Sequence, residues 1–395
     1  MQDPAWRRFE LSDCLGRGGF GEVYRATVRT AGGIESLAAV KLLRRDLAVD
    51  ADAVTRLRDE GRLLARLDHP TLLRVIDLVR LDGRLALVTE YVDGADLSEL
   101  IRAEPPLPAR ALVEVVGRVA AALDAAWGAL GPDGRPMALV HRDVKPTNVR
   151  VGRFGEVKLL DFGIAHFRGD DREARTATHV MVGSLPFMAP ERFLDREARS
   201  AGDVFALGCT LYQGLTGRRF YEKGDVRRMA ALALDPVAYA AHLGERLGRL
   251  RPAEGTRAEL AALVEALLAY DHAVRPSASE VATRCEALVD RLGGPRLRAW
   301  CRERAWPVPE PRPGELAGRV LVEEPVDLSR PFAPPPPERS AVEGGPSEGP
   351  PAPRGRASRV NRLAVAGCGI LGLLIWLVVS GFAAIIAALA LFSAS

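Results

Sequence analysis

Hydrophobic and polar positions in the first quarter of the chain alternate in short runs that are typical of β-strands. Residues 23–28, 38–43 and 85–89 are rich in β-branched and other apolar side chains, and each run is predicted to be a strand. Between the last two runs, residues 53–67 carry apolar side chains every three or four positions, which predicts an amphipathic helix. The chain is therefore expected to begin with a small β-rich half that contains one helix.

From residue 93 onwards the apolar positions follow helical periods, most clearly in residues 112–130. No internal repeat interrupts this order. A small β-rich half followed by a larger helical half predicts an α+β fold.

The composition changes again towards the C-terminus. Residues 307–359 are rich in Pro, Glu and Gly and include an uninterrupted run of four prolines, and such a segment buries too little apolar surface to fold. Residues 293–306 fit either a last helix of the domain or the start of this segment, and the pattern does not decide between the two. We predict a folded domain over residues 9–292 and a Pro-rich, largely disordered linker over residues 293–362.

Residues 363–392 contain no charged side chain. A helix needs about 20 apolar residues to cross a bilayer, so a transmembrane helix is predicted here. A buried core helix is disfavoured because the linker separates this segment from any core, and the arms of a re-entrant hairpin around Gly381 would be too short to cross. Arginines precede the segment and no charge follows it, which predicts a single-pass protein of the cell membrane with its folded domain in the cytoplasm. These arginines are Arg354, Arg356, Arg359 and Arg362.

Composition argues against several classes of protein. The net charge of +3 at pH 7 is too small to indicate a nucleic-acid-binding protein. The cysteines are odd in number and lack a C-x-x-C pair, so neither a disulfide framework nor a zinc site is indicated, and reduced cytosolic thiols are expected. Residues 1–10 lack the apolar run of a secretory signal. The cysteines are Cys14, Cys209, Cys285, Cys301 and Cys368.

Lysine is rare, because only four of the 54 Lys and Arg residues are lysines. Lys41 ends an apolar strand, and Lys145 lies two residues after Asp143. A compact ammonium group suits a crowded phosphate site better than a planar guanidinium group. The alternative is that both are ordinary surface lysines. For Lys41 this alternative is disfavoured, because an unpaired charge in an apolar strand costs free energy. The predicted helix offers Asp59 and Glu60 as partners for the charge of Lys41. Glu60 borders the apolar stripe of the helix. The alternative for Glu60 is an ordinary solvated acid on the helix surface.

Gly16, Gly18 and Gly21 form a G-x-G-x-x-G pattern, which alone indicates little more than a turn. A dinucleotide-binding loop would lead into a helix, whereas a predicted strand follows here, and this favours a hairpin that covers phosphates. Glycine lets the backbone approach a phosphate chain and direct its amides at it.

Further motifs follow in a fixed order along the chain. With the glycine pattern, they are Val40-Lys41, Glu60, His141-Arg142-Asp143 with Asn148, Asp161-Phe162-Gly163, Ala189-Pro190-Glu191, Asp203 and Arg275. Together they resemble the eukaryotic-type, or Hanks-type, Ser/Thr protein kinases, most similarly the membrane-anchored bacterial branch, over roughly residues 9–290. The resemblance implies a bilobal protein-kinase-like fold, with a small antiparallel β lobe and one helix over about residues 9–92 and a larger helical lobe over about residues 93–292.

The resemblance also implies the chemistry of the site, in which the protein positions groups and neutralises charge during phosphoryl transfer from ATP. Lys41, oriented by Glu60, is expected to contact the α- and β-phosphates, and Lys145 the γ-phosphate. Asp143 is expected to orient the substrate hydroxyl group and accept its proton.

The same resemblance implies the cation site and the nucleotide pocket. Asn148 and Asp161 offer the hard oxygen ligands that suit Mg²⁺, with Mn²⁺ as an alternative. The expected ATP-binding residues are Gly16, Gly18, Gly21, Val23, Ala39, Lys41, Glu60, Glu90 and Val92.

Glu191, Asp203 and Arg275 are expected to fix the scaffold under the activation segment and to do no chemistry. Thr176 and Thr178 resemble autophosphorylated threonines of bacterial relatives, with ordinary loop threonines as the alternative. Every phosphate- or metal-handling position of the family is kept, which argues against a degenerate pseudokinase.

The expected function is that of a non-specific Ser/Thr protein kinase in membrane-associated signalling, acting on protein substrates. A homodimer would allow one copy to phosphorylate the other. A non-catalytic, membrane-tethered ATP-binding scaffold is the alternative. A small-molecule phosphotransferase is disfavoured by Ala189-Pro190-Glu191, which belongs to a peptide-docking segment.

Overall fold

Strands from both ends of the described chain form one antiparallel sheet. They are β1 (Arg8–Arg17), β2 (Gly21–Arg29), β3 (Glu35–Leu43), β4 (Val75–Leu81), β5 (Arg84–Glu90) and β9 (Val320–Val322). Their order is β4-β5-β3-β2-β1-β9, so the last strand pairs with the first. The structure is a computed structural model that describes residues 7–18, 21–48, 51–131, 134–162, 185–194, 200–222, 224–250, 255–306 and 312–325.

The two faces of this sheet differ because successive side chains along a strand point to opposite sides. Ala38, Val40 and Leu42 of β3 are buried in a core that they share with β1 and β2. Ala39 and Lys41 lie on the other face and are partly exposed. The alternation of β3 thus directs Ala39 and Lys41 to the same side of the sheet.

The predicted helix of the small lobe is α1 (Ala51–Leu64), close to the predicted range of 53–67. Val54 and Leu57 of α1 are buried against leucines of β3 and β5. The apolar stripe of the helix therefore faces the sheet.

The larger lobe is helical, as the sequence pattern predicts. Its longest helix is α3 (Ala109–Gly128), and residues 203–212 of α5 (Ser200–Thr216) are all buried, so α5 lies in the middle of the lobe. The two-lobed α+β prediction is confirmed. The helices are α2 (Leu97–Arg102), α3 (Ala109–Gly128), α4 (Glu191–Leu194), α5 (Ser200–Thr216), α6 (Val226–Leu234), α7 (Pro236–Gly248), α8 (Thr256–Leu267), α9 (Ala278–Arg291) and α10 (Leu297–Glu303).

A second small sheet lies in the larger lobe and consists of β6 (Gly94–Asp96), β7 (Val149–Gly152) and β8 (Val157–Leu159). The loop over residues 141–148 leads directly into β7, and residues 160–162 follow β8 directly. The pairing of β7 with β8 therefore holds these two chemically rich segments side by side.

Ordered elements continue past residue 292, where the sequence analysis places the end of the domain. Helix α10 buries Leu297 and Trp300 in the core of the larger lobe, and Leu316 is buried in the core of the small lobe. The prediction of a largely disordered linker is thus not met in residues 297–303 and 312–325. Helix α10 corresponds to the last helix that the pattern of residues 293–306 left open. A composition averaged over the long Pro-rich stretch does not reveal the short segment around Leu316, whose partners are far away in sequence.

Across the described residues, no helix combines the length and the apolar character that a membrane crossing requires. The predicted transmembrane segment, residues 363–392, lies outside the described residues.

Candidate active site

The carboxylate of Asp143 is oriented by two side chains of its own loop. Its Oδ2 atom accepts hydrogen bonds from Lys145 Nζ at 2.6 Å and from Asn148 Nδ2 at 2.9 Å. Asn148 Nδ2 also lies 2.9 Å from the carbonyl oxygen of Asp143. The second carboxylate oxygen, Oδ1, is buried and has no hydrogen-bond partner among the described residues. The carboxylate of Asp143 is therefore oriented by Lys145 and Asn148, while its second oxygen makes no hydrogen bond to a described residue.

The backbone of this loop is held from below by Asp203 of α5. The buried carboxylate accepts hydrogen bonds from the amides of His141 at 2.7 Å and Arg142 at 2.8 Å. Burial raises the pKa of Asp203. Arg142 adopts a φ of 69°, which is strained for a side chain other than glycine. The predicted scaffold residue Asp203 thus fixes a strained turn directly before Asp143.

His141 connects the loop to the segment after β8. Its Nε2 atom donates to the carbonyl oxygen of Leu160 at 2.9 Å, and its ring lies 4.6 Å from the ring of the buried Phe162. The amide of Leu160 also donates to the carbonyl oxygen of Asn148 at 2.8 Å. These contacts keep Asp161 next to the loop that carries Asp143 and Asn148.

Lys41 lies 2.9 Å from Asp161 Oδ1, so the ion pair joins the small lobe to the larger one. The charge of Lys41 holds the pKa of Asp161 below its usual range, and the carboxylate is therefore ionised. Asp161 has a φ of 48°, a second strained position at this site. Glu60, the predicted partner of Lys41, lies on α1, but its side chain is outside the described residues, as are Gly163, Thr176 and Thr178.

Some of the predicted ATP-binding residues lie on neighbouring strands of the small lobe. Thr89 of β5 is buried and pairs in register with Ala39 of β3, and Val23 of β2 pairs with Lys41. The predicted ATP-binding residues Val23 and Ala39 therefore lie on adjacent strands, close to Lys41.

Two basic residues that are not among the predicted site residues hold the connection between the lobes. Lys158 lies 2.7 Å from the carboxylate of Glu90, which turns that side chain towards the larger lobe. Arg150 donates to the carbonyl oxygens of Val92 and Gly94, each at 2.8 Å. The rarity of lysine could have directed attention to Lys158, whereas nothing distinguished Arg150 among the many arginines.

The three predicted loop glycines are not equivalent. A Cβ atom on Gly21 would lie 1.9 Å from the carbonyl oxygen of Leu42, so only glycine fits there. Cβ atoms on Gly16 or Gly18 would have no neighbour within 4 Å in the described part of the chain. Gly18 N–H donates to the carbonyl oxygen of Gly21 at 2.9 Å, and this bond joins β1 to β2 at the end of their pairing.

The predicted pair of Glu191 and Arg275 forms a buried, bidentate ion pair, with N–O distances of 2.7 and 2.8 Å. Next to Glu191, Arg192 donates to the carbonyl oxygen of Arg142 at 3.0 Å. The segment after Pro190 is thus fastened both to the helical core and to the loop of Asp143.

This geometry agrees with the sequence comparison, in which residues 9–284 match the family described as the protein kinase domain. The chain belongs to the protein kinase domain family.

Several curated relatives bear the name serine/threonine-protein kinase. PknE of Mycobacterium tuberculosis is 36% identical over 225 residues, which are 56% of this chain and 37% of the relative. PkaA of Streptomyces coelicolor is 38% identical over 226 residues, or 54% of this chain and 40% of the relative. PknB of Mycobacterium leprae is 35% identical over 215 residues, or 53% of this chain and 32% of the relative. The matched part of the chain therefore spans well under half of each of these proteins.

Proposed function

We propose that this protein is a Ser/Thr protein kinase that transfers the γ-phosphate of ATP to hydroxyl groups of protein substrates. The observation that carries the proposal is the carboxylate of Asp143, which Lys145 and Asn148 orient and whose Oδ1 has no hydrogen-bond partner among the described residues. A carboxylate held in this way suits a group that positions a hydroxyl and accepts its proton. The names of the curated relatives support the same activity.

In the proposed reaction the substrate oxygen forms a bond to the γ-phosphorus, and the bond from that phosphorus to the β–γ bridging oxygen of ATP breaks. The hydroxyl proton passes to the carboxylate of Asp143, and ADP leaves. Lys145, 2.6 Å from Asp143 Oδ2, brings positive charge to the γ-phosphate, while Lys41 serves the phosphates nearer to the nucleoside.

The residues present fit a magnesium ion, with Mn²⁺ as an alternative. Asn148 and Asp161 supply hard oxygen donors, and the carboxylate of Asp161 is ionised because Lys41 lowers its pKa. Mg²⁺ in such sites takes one or two protein oxygens and completes its shell with phosphate oxygens and water. Bound in this way, the cation would supply neutralisation of phosphate charge.

A transfer assay on the full chain distinguishes the kinase from the scaffold alternative. The protein is incubated with Mg²⁺ and ATP labelled on its γ-phosphate, beside the variants Asp143→Asn and Lys41→Met. Label on protein hydroxyls in the wild type alone supports catalysis. Retention of ATP binding without label in any of the three proteins supports a scaffold.

We also propose that residues 363–392 anchor the chain in the cell membrane with the kinase domain in the cytoplasm. The support is the uncharged sequence of that segment and the arginines before it.

A transient homodimer would let one copy of the protein phosphorylate Thr176 and Thr178 of another copy. Mass spectrometry after incubation with ATP tests whether these threonines carry phosphate.

A further inference from the structure

The segment over residues 312–325, here named the strap, lies along the outer edge of the small lobe. Its strand β9 pairs antiparallel with β1, with Phe9 opposite Leu321. Before β9, the amide of Leu11 donates to the carbonyl oxygen of Arg319 at 2.9 Å, and the amide of Cys14 donates to that of Arg312 at 3.1 Å. The strap therefore satisfies backbone groups of β1 along most of its length.

Apolar packing fixes the strap in the core of the small lobe. Leu316 is 1% exposed and belongs to the same buried cluster as Tyr24. Gly314 passes so close to Tyr24 that a Cβ atom on Gly314 would lie 2.5 Å from the tyrosine ring. The strap thus fits against the ring of Tyr24 only because residue 314 has no side chain.

Ion pairs fasten both ends of the strap. Glu315 lies 2.9 Å from Arg45 and 3.7 Å from Arg84, whose own side chain is nearly buried. At the other end, Glu323 lies 2.8 Å from Arg7, and Glu324 lies 3.3 Å from Arg80. These carboxylates tie the strap to β4, β5 and the loop after β3, as well as to Arg7, the residue before β1.

A closed ring of polar contacts joins the strap to the base of the glycine-rich hairpin. Arg17 donates to the carbonyl oxygen of Pro313 at 2.8 Å and lies 2.7 Å from the carboxylate of Glu22. The hydroxyl group of Tyr24 donates to Glu22 and accepts from the amide of Leu316 at 3.1 Å. Burial raises the pKa of Tyr24 to about 12, so its hydroxyl stays a donor at neutral pH.

The closed ring of polar contacts lies at the base of the glycine-rich hairpin, where it can hold the hairpin in position. Arg17 and Glu22 are register partners on β1 and β2, directly at the base of the turn that contains Gly18 and Gly21. Behind this base is a cleft of about 410 Å³, bordered by Leu42, Arg44 and the strap. Polar contacts to the strap, rather than apolar packing, therefore support this side of the hairpin.

We propose that the strap positions the glycine-rich hairpin and thereby sets the affinity of the kinase for ATP. Tyr24 and Glu22 act as positioning residues, because they transmit the location of the strap to the hairpin. The inference rests on the proposed function for its effect on catalysis, but not for its effect on nucleotide binding. Because residues 326–395 follow the strap directly, an event that peels the strap from β1 would weaken ATP binding without touching the loop of Asp143.

The test compares Gly314→Val with Gly293→Val in the full chain. The first change places a side chain against Tyr24, whereas Cβ on Gly293 meets no described atom within 4 Å. For Gly314→Val we expect the KM for ATP to rise about tenfold with kcat changed less than about twofold, and Gly293→Val should behave as the wild type. Hydrogen exchange of the peptide over residues 8–17 should accelerate in Gly314→Val alone, because the strap accepts from its amides.

A second variant, Tyr24→Phe, removes the hydroxyl group and keeps the packed ring. It should raise the KM for ATP about threefold to fivefold at unchanged kcat. The proposal would be overturned if hydrogen exchange of β1 became faster in Gly314→Val while the KM for ATP stayed unchanged in both variants. The strap would then have only a structural role. Should the wild type transfer no phosphate, the dissociation constant of a fluorescent ATP analogue gives the same comparison, so that failure of the kinase activity stays distinguishable from failure of the strap.

Discussion

Arg275 and Glu191 lie 84 residues apart in sequence and form a buried ion pair in which both guanidinium ends of the arginine donate to the carboxylate. The guanidinium group also donates to the carbonyl oxygens of Ala201, Ala269 and Tyr270 and lies 4.9 Å from the ring centre of Phe205. Every polar atom of the pair is therefore satisfied inside the larger lobe, which joins the segment after Pro190 to α5.

Replacing Arg275 by methionine should destabilise the protein strongly, because it leaves the carboxylate of Glu191 buried without a cation. Loss of one partner of a buried ion pair costs about 3–5 kcal/mol. The measurement is urea unfolding followed by circular dichroism.

The matched control is Arg291→Met. Arg291 also pairs with a glutamate, Glu259, but both side chains are about half exposed. Exposed pairs contribute about 0–1 kcal/mol, so this variant should unfold close to the wild type. Equal unfolding of the two variants would contradict a stabilising role for the buried pair.

Much of this site is predictable from sequence because its motifs are local. The alternation of β3 places Ala39 and Lys41 on one face, and the structure has them there. Asp143, Lys145 and Asn148 lie within six residues, so one tight loop brings them together.

The remaining contacts depend on residues that are distant in sequence and have no local signal. The pairing of Lys41 with Asp161 spans 120 residues, and the contact of Leu316 with Tyr24 spans 292. The strap lies in a Pro-rich composition in which one buried leucine and a three-residue strand do not stand out. Their partners are fixed only when the small lobe has folded.

Gly21→Ala should damage the hairpin because the added methyl group meets the carbonyl oxygen of Leu42. Steric insertion into a packed site typically costs about 1–3 kcal/mol, and the strand would have to shift. We expect a lower melting temperature and a higher KM for ATP. Gly16→Ala is the control, since its Cβ meets no described atom within 4 Å, and it should melt as the wild type does. A normal melting temperature for Gly21→Ala would refute the steric requirement.

His242 predicts a dependence of stability on pH. Burial lowers the pKa of His242. The positive charges of Arg246 and Arg228 lower it further, whereas the negative charge of Glu245 raises it. Its Nε2 atom donates to the carbonyl oxygen of Phe220 at 3.1 Å, and Nδ1 has no partner among the described residues. The unfolded chain therefore binds more protons than the folded one below the ordinary histidine pKa of about 6.5.

Stability should consequently fall as the pH is lowered through that value. The melting temperature is measured between pH 7.5 and pH 5.5, and the variant His242→Phe should show a smaller decrease than the wild type. His272→Gln, in a half-buried turn of the same lobe, should keep the wild-type decrease. Identical pH profiles for wild type and His242→Phe would exclude His242 as the cause.

The proposed membrane anchor predicts that the two ends of residues 363–392 lie on opposite sides of the membrane. A reporter enzyme that works only outside the cell should be active when fused after Ser395. The same reporter inserted at residue 345 should be inactive, because the arginines before the segment are retained in the cytoplasm. Activity at residue 345 and silence after Ser395 would reverse the proposed orientation, and silence or activity at both sites would argue against a single crossing.

Asp203→Asn should slow the chemical step without weakening ATP binding. The two carboxylate oxygens of Asp203 accept from the amides of His141 and Arg142, whereas the asparagine amide offers one acceptor and one donor. One backbone N–H would then face an NH₂ group, and the loop that carries Asp143 would move. A misplacement of about 1 Å can cost about 10²-fold in rate, so kcat should fall by roughly that factor while the KM for ATP stays within about twofold.

Asp235→Asn is the matched control for this prediction. Asp235 also accepts from two backbone amides, those of Val237 and Ala238, but it does so at the exposed start of α7. Asparagine is as favourable as aspartate at such a helix cap, so both kinetic constants should match the wild type. Asp203 acts only through the loop that carries Asp143. Its replacement should therefore change kcat and leave the KM for ATP nearly unchanged. A normal kcat for Asp203→Asn, or a loss confined to KM, would mean that α5 does not position Asp143.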